Sequence, residues 1–233
     1  MADSAITFVL IPGAGGNAFY WHRLVDELER RGHATVAVDL PAQDPSAGLA
    51  EYADAVVEAV GERAGLVVVA QSMGGFTAPL IVDRVPVEMI VLLNAMTPAP
   101  GESPGEWWEN TGQAQASAAF AVSEGRDPDA PFDLHAAFFH DVPADVTAAM
   151  MASGSGEQAD APFEKPWPLE KWPDVPTRFL QGRDDRFFPL EFQRRVVSER
   201  LGIPVDEMPG GHLVALSQPV ELADRLEAYA RER

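Results

Sequence analysis

The sequence predicts an α/β protein: a doubly wound, mostly parallel six-stranded sheet with a small helical insertion. Three observations predict it. Short apolar runs alternate with segments whose apolar residues recur at helical spacing, an order that implies right-handed crossovers and parallel strands. One run, Leu66-Val67-Val68-Val69-Ala70-Gln71, breaks at Ser72 and passes into a helix through Gly74-Gly75. Residues 98–172 carry no strand pattern and are rich in Pro, Gly, Ala, Trp and Phe, which reads as short helices laid over the sheet edge as a lid. The chain thus divides into a first core part (1–97), a helical lid (98–172) and a second core part (173–233).

Residues 5–11 form a near-continuous apolar run, as expected of a strand covered on both faces. The run ends at Pro12-Gly13-Ala14-Gly15-Gly16. Asn17 caps the next helix, whose apolar face is Trp21, Leu24, Val25 and Leu28. Gly32 ends it, and a second strand is expected over 34–40. Leu49, Tyr52, Val56 and Val60 mark a helix stopped near Gly61. After the run at Leu66 come a helix over 73–84 and a strand over 87–93. The lid holds helical patterns at 112–123 and 144–152 and a Gly/Ser-rich stretch at 153–156. A strand at 177–181, a helix at 190–201 and a short strand at 205–208 follow. The last helix has Ser217 as cap, Pro219 in its first turn, and Leu222, Leu226 and Tyr229 on one face.

Composition narrows the function. A net charge of −19 argues against nucleic acid, whose binding needs Lys and Arg on phosphates, and against anionic membranes. No apolar run approaches the roughly 20 residues of a membrane span. Met1-Ala2-Asp3-Ser4 has no basic n-region or apolar h-region, so no signal peptide is expected. With no cysteine, disulfides, thiolate catalysis and Cys-ligated metals are ruled out, which fits a cytoplasmic enzyme.

Ser72 sits where a Gly-x-Ser-x-Gly elbow would hold a nucleophile on a strained strand-to-helix turn, with Ala70 in place of the first glycine. The alternative is a serine that only caps the helix. A nucleophile needs a base, a carboxylate to orient that base, and donors for the oxyanion. In such sheets they follow in the order Ser, Asp or Glu, His. The turn Gly182-Arg183-Asp184-Asp185 supplies the acid, with Asp185 favoured and Asp184 the runner-up. Asn94, after the fourth strand, cannot supply a negative charge. Pro209-Gly210-Gly211 lets His212 swing over the sheet edge, whereas His22 and His33 flank the first helix as structural residues. Met73 N–H, at a helix start, and Ala14 N–H are the expected oxyanion donors. The 12–16 run lacks the lysine and spacing of a phosphate-binding loop.

The substrate pocket is expected from Trp107, Trp108, Phe120, Phe138, Phe139 and Phe187, with Gly13 and Leu213 beside the reacting groups. Any of these aromatics could instead attach the lid to the core. His140-Asp141 could orient a polar substrate group or serve as a lid ion pair or cap. The expected activity is serine hydrolysis of a small to medium apolar or aromatic ester, with a small-molecule ester as partner and no metal or cofactor. Thioester, lactone or C–C cleavage would use the same groups, and a ligand-binding protein without turnover is the other class.

The stretch from Val9 to Gly16 with Trp21, the segment Gly32-His33 followed by Val36 to Pro41, and Gly210-Gly211-His212 through Pro219 resemble the α/β-hydrolase superfamily over nearly the whole chain. Most members have a histidine where this chain has Pro12. The sequence is most similar to the compact, small-lid branch of plant methyl-ester hydrolases, bacterial esterases and hydroxynitrile lyases. That resemblance implies a Ser72–Asp185–His212 triad and no cofactor. The lyases carry a threonine and a lysine where this chain has Gly13 and Leu213, which argues against cyanohydrin cleavage. Epoxide hydrolases and haloalkane dehalogenases use an aspartate where Ser72 stands.

Overall fold

The structure, a computed structural model, describes residues 6–154 and 157–232. Chain order is β1 (Thr7–Ile11), α1 (His22–Arg30), β2 (Ala34–Ala37), α2 (Leu49–Val60), β3 (Leu66–Gln71), α3 (Gly74–Thr77) and β4 (Val87–Leu93). Among the described residues, four α-helices and a π-helical turn (His135–Phe139) then come before the next strand: α4 (Pro104–Thr111), α5 (Gln113–Ser123), α6 (Ala144–Ala152) and α7 (Ala161–Glu164). The chain ends with β5 (Thr177–Gly182), α8 (Leu190–Leu201), β6 (Val205–Met208), α9 (Val214–Ser217) and α10 (Pro219–Ala230). The six strands form one sheet in the order β2-β1-β3-β4-β5-β6, and every pairing is parallel rather than most of them.

Alternation along the strands feeds two cores. Val9, Ile11, Val68, Ala70, Ile90 and Leu92 face one layer, where Tyr52 and Val56 of α2, Phe76 of α3 and Val196 of α8 meet them. Phe8, Leu10, Val67, Val69, Val91 and Leu93 face the other, against Leu24 and Leu28 of α1 and Leu222 and Leu226 of α10. Burial of each large apolar side chain contributes about 1.5–3 kcal/mol, so the central strands need no polar face. Among the described residues, no helix is long and apolar enough to cross a membrane.

The departures from expectation have local causes. β2 ends at Ala37 because the chain then turns to the β1–α1 loop, where Leu40 N–H donates to the Gly16 carbonyl at 2.8 Å. The helix expected over 73–84 is the single turn α3 and a 3-10 turn over Ala78–Ile81, since Pro79 brings no N–H to the α-helical ladder. Gly112 ends α4 in the left-handed region (φ +67°), so α5 begins one residue later. Ser217 is the last residue of α9, and its hydroxyl caps nothing; Gln218 stands at the start of α10. Ala5 and two residues of the 153–156 stretch lie outside the described residues.

Candidate active site

Ser72 leaves β3 with φ +51°, in the left-handed region that non-glycine residues avoid. Such a conformation costs on the order of 1–3 kcal/mol and persists only where neighbours hold it. Here Ser72 N–H donates to the Leu93 carbonyl at 3.2 Å, and its own carbonyl accepts from Gly75 N–H at 3.1 Å and Met96 N–H at 2.9 Å. The two glycines after it are obligatory for space. A Cβ at Gly74 would sit 2.8 Å from the Pro12 carbonyl oxygen, and one at Gly75 only 2.0 Å from that of Met96. Ala70 has no such conflict, and its methyl group packs in the core.

The β1–α1 loop comes down on this turn. A Cβ at Gly13 would lie 2.5 Å from Gln71 Oε1 and 2.8 Å from Ser72 Cβ. From the inserted segment, Gln158 Oε1 accepts the Gly15 N–H at 2.9 Å, while its amide nitrogen donates to Tyr52 Oη and the Ala159 carbonyl. Ala14 and Met73 both border the cavity above Ser72.

The two candidate acids separate cleanly. Asp185 is fully buried, and its Oδ2 lies 2.8 Å from His212 Nδ1. Its Oδ1 accepts the backbone N–H of Phe187 and Phe188 at 2.8 and 2.9 Å, and Gln181 Nε2 donates to Oδ2 at 3.1 Å. Asp184 instead receives the Gly210 N–H at 3.1 Å. His212 is itself buried, with the rings of Phe138, Phe187 and Phe188 5.1–5.3 Å from its own. Asn94 holds the loop behind it: Nδ2 donates to the Gly211 and His212 carbonyls at 3.0 and 2.9 Å, and Oδ1 accepts Gly182 N–H at 2.6 Å. Asn94 and Gln71, which donates to the His212 carbonyl at 3.4 Å, were not singled out by the sequence as site residues.

Ser72 and His212 open on one cavity of about 350 Å³. Of the residues proposed from the sequence, Gly13, Ala14, Trp108, Phe138, Phe139, Phe187 and Leu213 border it. Trp107 does not. Its indole is wholly buried against Phe188 and Phe192 and donates to the Thr97 carbonyl at 3.1 Å, so it anchors α4 to the core. Phe120 lies away from the cavity beside the Arg126 guanidinium. Met96, Met150, Met151 and Phe163 also line it, and their apolar spacing has no feature that sets cavity apart from core; Gln158, a lone polar residue of the inserted segment, lines it too. No Lys, Arg, Asp or Glu is among the described residues that line it. Tyr20 reaches it too, and burial pushes its phenol far up from the ordinary tyrosine range. His33, away from the site, pairs with Glu227 at 2.8 Å, as a structural residue should.

Residues 8–225 match the Alpha/beta hydrolase family. The chain belongs to that family. This hydrolase is 29% identical to a probable esterase of rice (Oryza sativa subsp. indica), PIR7A, over 97% of each chain. It is 26% identical to an alpha-hydroxynitrile lyase of Arabidopsis thaliana, again over 97% of each. Among solved structures, a pyrethroid hydrolase from Sphingobium faniae superposes with a TM-score of 0.73 at 21% identity, covering 98% of both chains. Polyneuridine aldehyde esterase superposes with a TM-score of 0.75 at 21% identity, over 97% of this hydrolase and all of that chain. These similarities agree with the resemblance carried by the Pro12–Gly16 and Gly210–His212 motifs.

Proposed function

We propose that this hydrolase cleaves neutral carboxylic esters with a small to medium apolar or aromatic group, through an acyl-enzyme on Ser72. The observation that carries this reading is that strained Ser72 and Asp185-backed His212 share one cavity with no Lys, Arg, Asp or Glu among the described residues that line it. Ser72 Oγ forms a bond to the ester carbonyl carbon as His212 Nε2 takes the hydroxyl proton. Asp185 keeps the imidazole oriented through Nδ1 and stabilises the cation. The backbone N–H groups of Met73 and Ala14 receive the oxyanion. Collapse breaks the bond to the leaving oxygen, to which His212 returns its proton. A water, deprotonated by His212, then releases the acid and restores Ser72.

The lining of Trp108, Phe138, Phe187 and the methionines supports an apolar or aromatic group, since none of the described lining residues is a Lys or Arg that could hold a carboxylate. Residues 98–172 act as the lid that encloses it. The esterases among the relatives support ester hydrolysis, while the space at Gly13 weighs against a lyase-type threonine there. The absence of cysteine supports a cytoplasmic setting.

The test is Ser72→Ala against a panel of p-nitrophenyl esters, lactones and acyl thioesters, alongside labelling with a serine-reactive phosphonate. We expect turnover of short apolar esters, its loss in the variant with the fold intact, and labelling only where Ser72 is present. Activity retained in S72A removes Ser72 as nucleophile.

A further inference from the structure

We propose that Asp141 is a positioning residue for His212, reaching from the inserted segment to hold the loop that carries the imidazole; the inference rests on the serine hydrolysis above. Asp141 Oδ2 accepts the Gly211 N–H at 2.7 Å. Other polar groups of this loop are held from the ends of β4 and β5. Asp184 takes the Gly210 N–H at 3.1 Å and donates its own N–H to the Gly210 carbonyl at 3.0 Å, while Asn94 takes the Gly211 and His212 carbonyls. Asp141 is therefore the contact through which the segment between β4 and β5 grips the peptide just before His212.

The fit is close. A Cβ at Gly211 would meet His140 Nε2 at 2.7 Å and Asp141 Oδ1 at 2.8 Å, so residues 140 and 141 press on bare backbone. Gly210 adopts φ +114°, a conformation reserved for glycine that leaves the loop free to take other paths unless its amides are held. The carboxylate is poorly compensated for its burial. Asp141 Oδ1 and His140 Nε2 are buried without a hydrogen-bond partner among the described residues. A half-buried carboxylate that makes one amide hydrogen bond and leaves its other oxygen buried and unpaired points to a demand for position, because an unpaired buried oxygen costs stability. Charge-assisted bonds are the stiffer kind, and a displacement of about 1 Å at a reacting group costs on the order of 10² in rate.

Two variants test it. Asp141→Ala removes the acceptor, and Asp141→Asn keeps an amide oxygen in its place. With p-nitrophenyl butyrate, kcat in D141A should fall roughly 10- to 100-fold with KM within about twofold, while D141N stays within about threefold of the parent. Amide hydrogen exchange at Gly211, read by NMR, should be faster in D141A and parent-like in D141N. A folded D141A with parent kcat, or with unchanged Gly211 exchange, overturns the proposal. If D141A does not fold, D141N decides alone, and a tenfold loss of kcat there overturns it. The exchange measurement stands apart from turnover: a parent protein inactive on every ester counts against ester hydrolysis, and Gly211 exchange still judges the role of Asp141.

Discussion

Asp185 and His212 meet at 2.8 Å with both side chains closed off from solvent, on loops 27 residues apart in sequence. Asp185 is preorganised for this contact by two backbone N–H groups and the Gln181 amide, so its second oxygen is left aimed at Nδ1. Replacing it should damage orientation of the base more than architecture. We expect Asp185→Asn to lower kcat by about 10³–10⁴, the scale seen when a triad carboxylate is neutralised. Asp184→Asn should cost less than tenfold, since Asp184 engages the Gly210 backbone. Steady-state kinetics of both variants, compared at equal folded concentration, check the order.

Gly13 is expected to tolerate nothing larger. The Cβ of Gly13→Ala would collide with Gln71 Oε1 and Ser72 Cβ, and displacing the loop moves the Ala14 N–H. Loss of one oxyanion donor costs about 10²–10³ in turnover. G13A should therefore lose kcat on that scale, compared at equal folded concentration, and a folded G13A protein at parental kcat would disprove the role given to the loop.

Trp107 and Trp108 should part company. Trp107→Phe empties part of a sealed core and removes the indole donor to the Thr97 carbonyl, which keeps only its Arg200 partner, so it should lower stability by about 2–4 kcal/mol in urea titration. Trp108→Phe borders the cavity and should instead change KM across an acyl-chain series at near-parental stability.

Acid stability should depend on Glu227. The His33 hydrogen bond, followed by Arg31, holds its carboxyl below the ordinary 4.5 against an opposing cost of burial. In the window below pH 4.5 the unfolded chain binds this proton more readily than the folded one, so stability rises with pH there. The contribution is complete above 4.5 and is lost as pH falls through the folded value. Glu227→Gln should therefore lower the urea midpoint at pH 7, and the gap between variant and parent should narrow as pH falls below 4.5 through the folded value. A gap that does not narrow at all below pH 4.5 would assign the effect to packing.

Much of this hydrolase was legible in local pattern. The strands at 87–93 and 205–208 and the helix at 190–201 stand where periodicity places them. That Ser72, Asp185 and His212 lie at strand ends was legible because strand ends in a parallel sheet share one edge. The turn Gly182-Arg183-Asp184-Asp185 favoured Asp185 over Asp184, while the partner each aspartate takes, His212 and the Gly210 N–H, was not legible, since adjacent turn residues differ in the direction of their side chains. Nor was the part played by Asn94, read as an acid that was missing, when it in fact ties β5 to the histidine loop.

What the sequence by itself determined is the set of elements, their alternation, and the kinds of group at each strand end, because hydrophobic period and glycine placement act between near neighbours. What only the tertiary structure decided is which side chains meet. Trp107 is buried and Trp108 borders the cavity because consecutive helical residues point about 100° apart, and only the packing of α4 says which direction is core. Gln158 on Gly15 and Asp141 on Gly211 join residues 143 and 70 positions apart. Contacts of that range depend on how the inserted segment settles on the sheet, and no local periodicity encodes it.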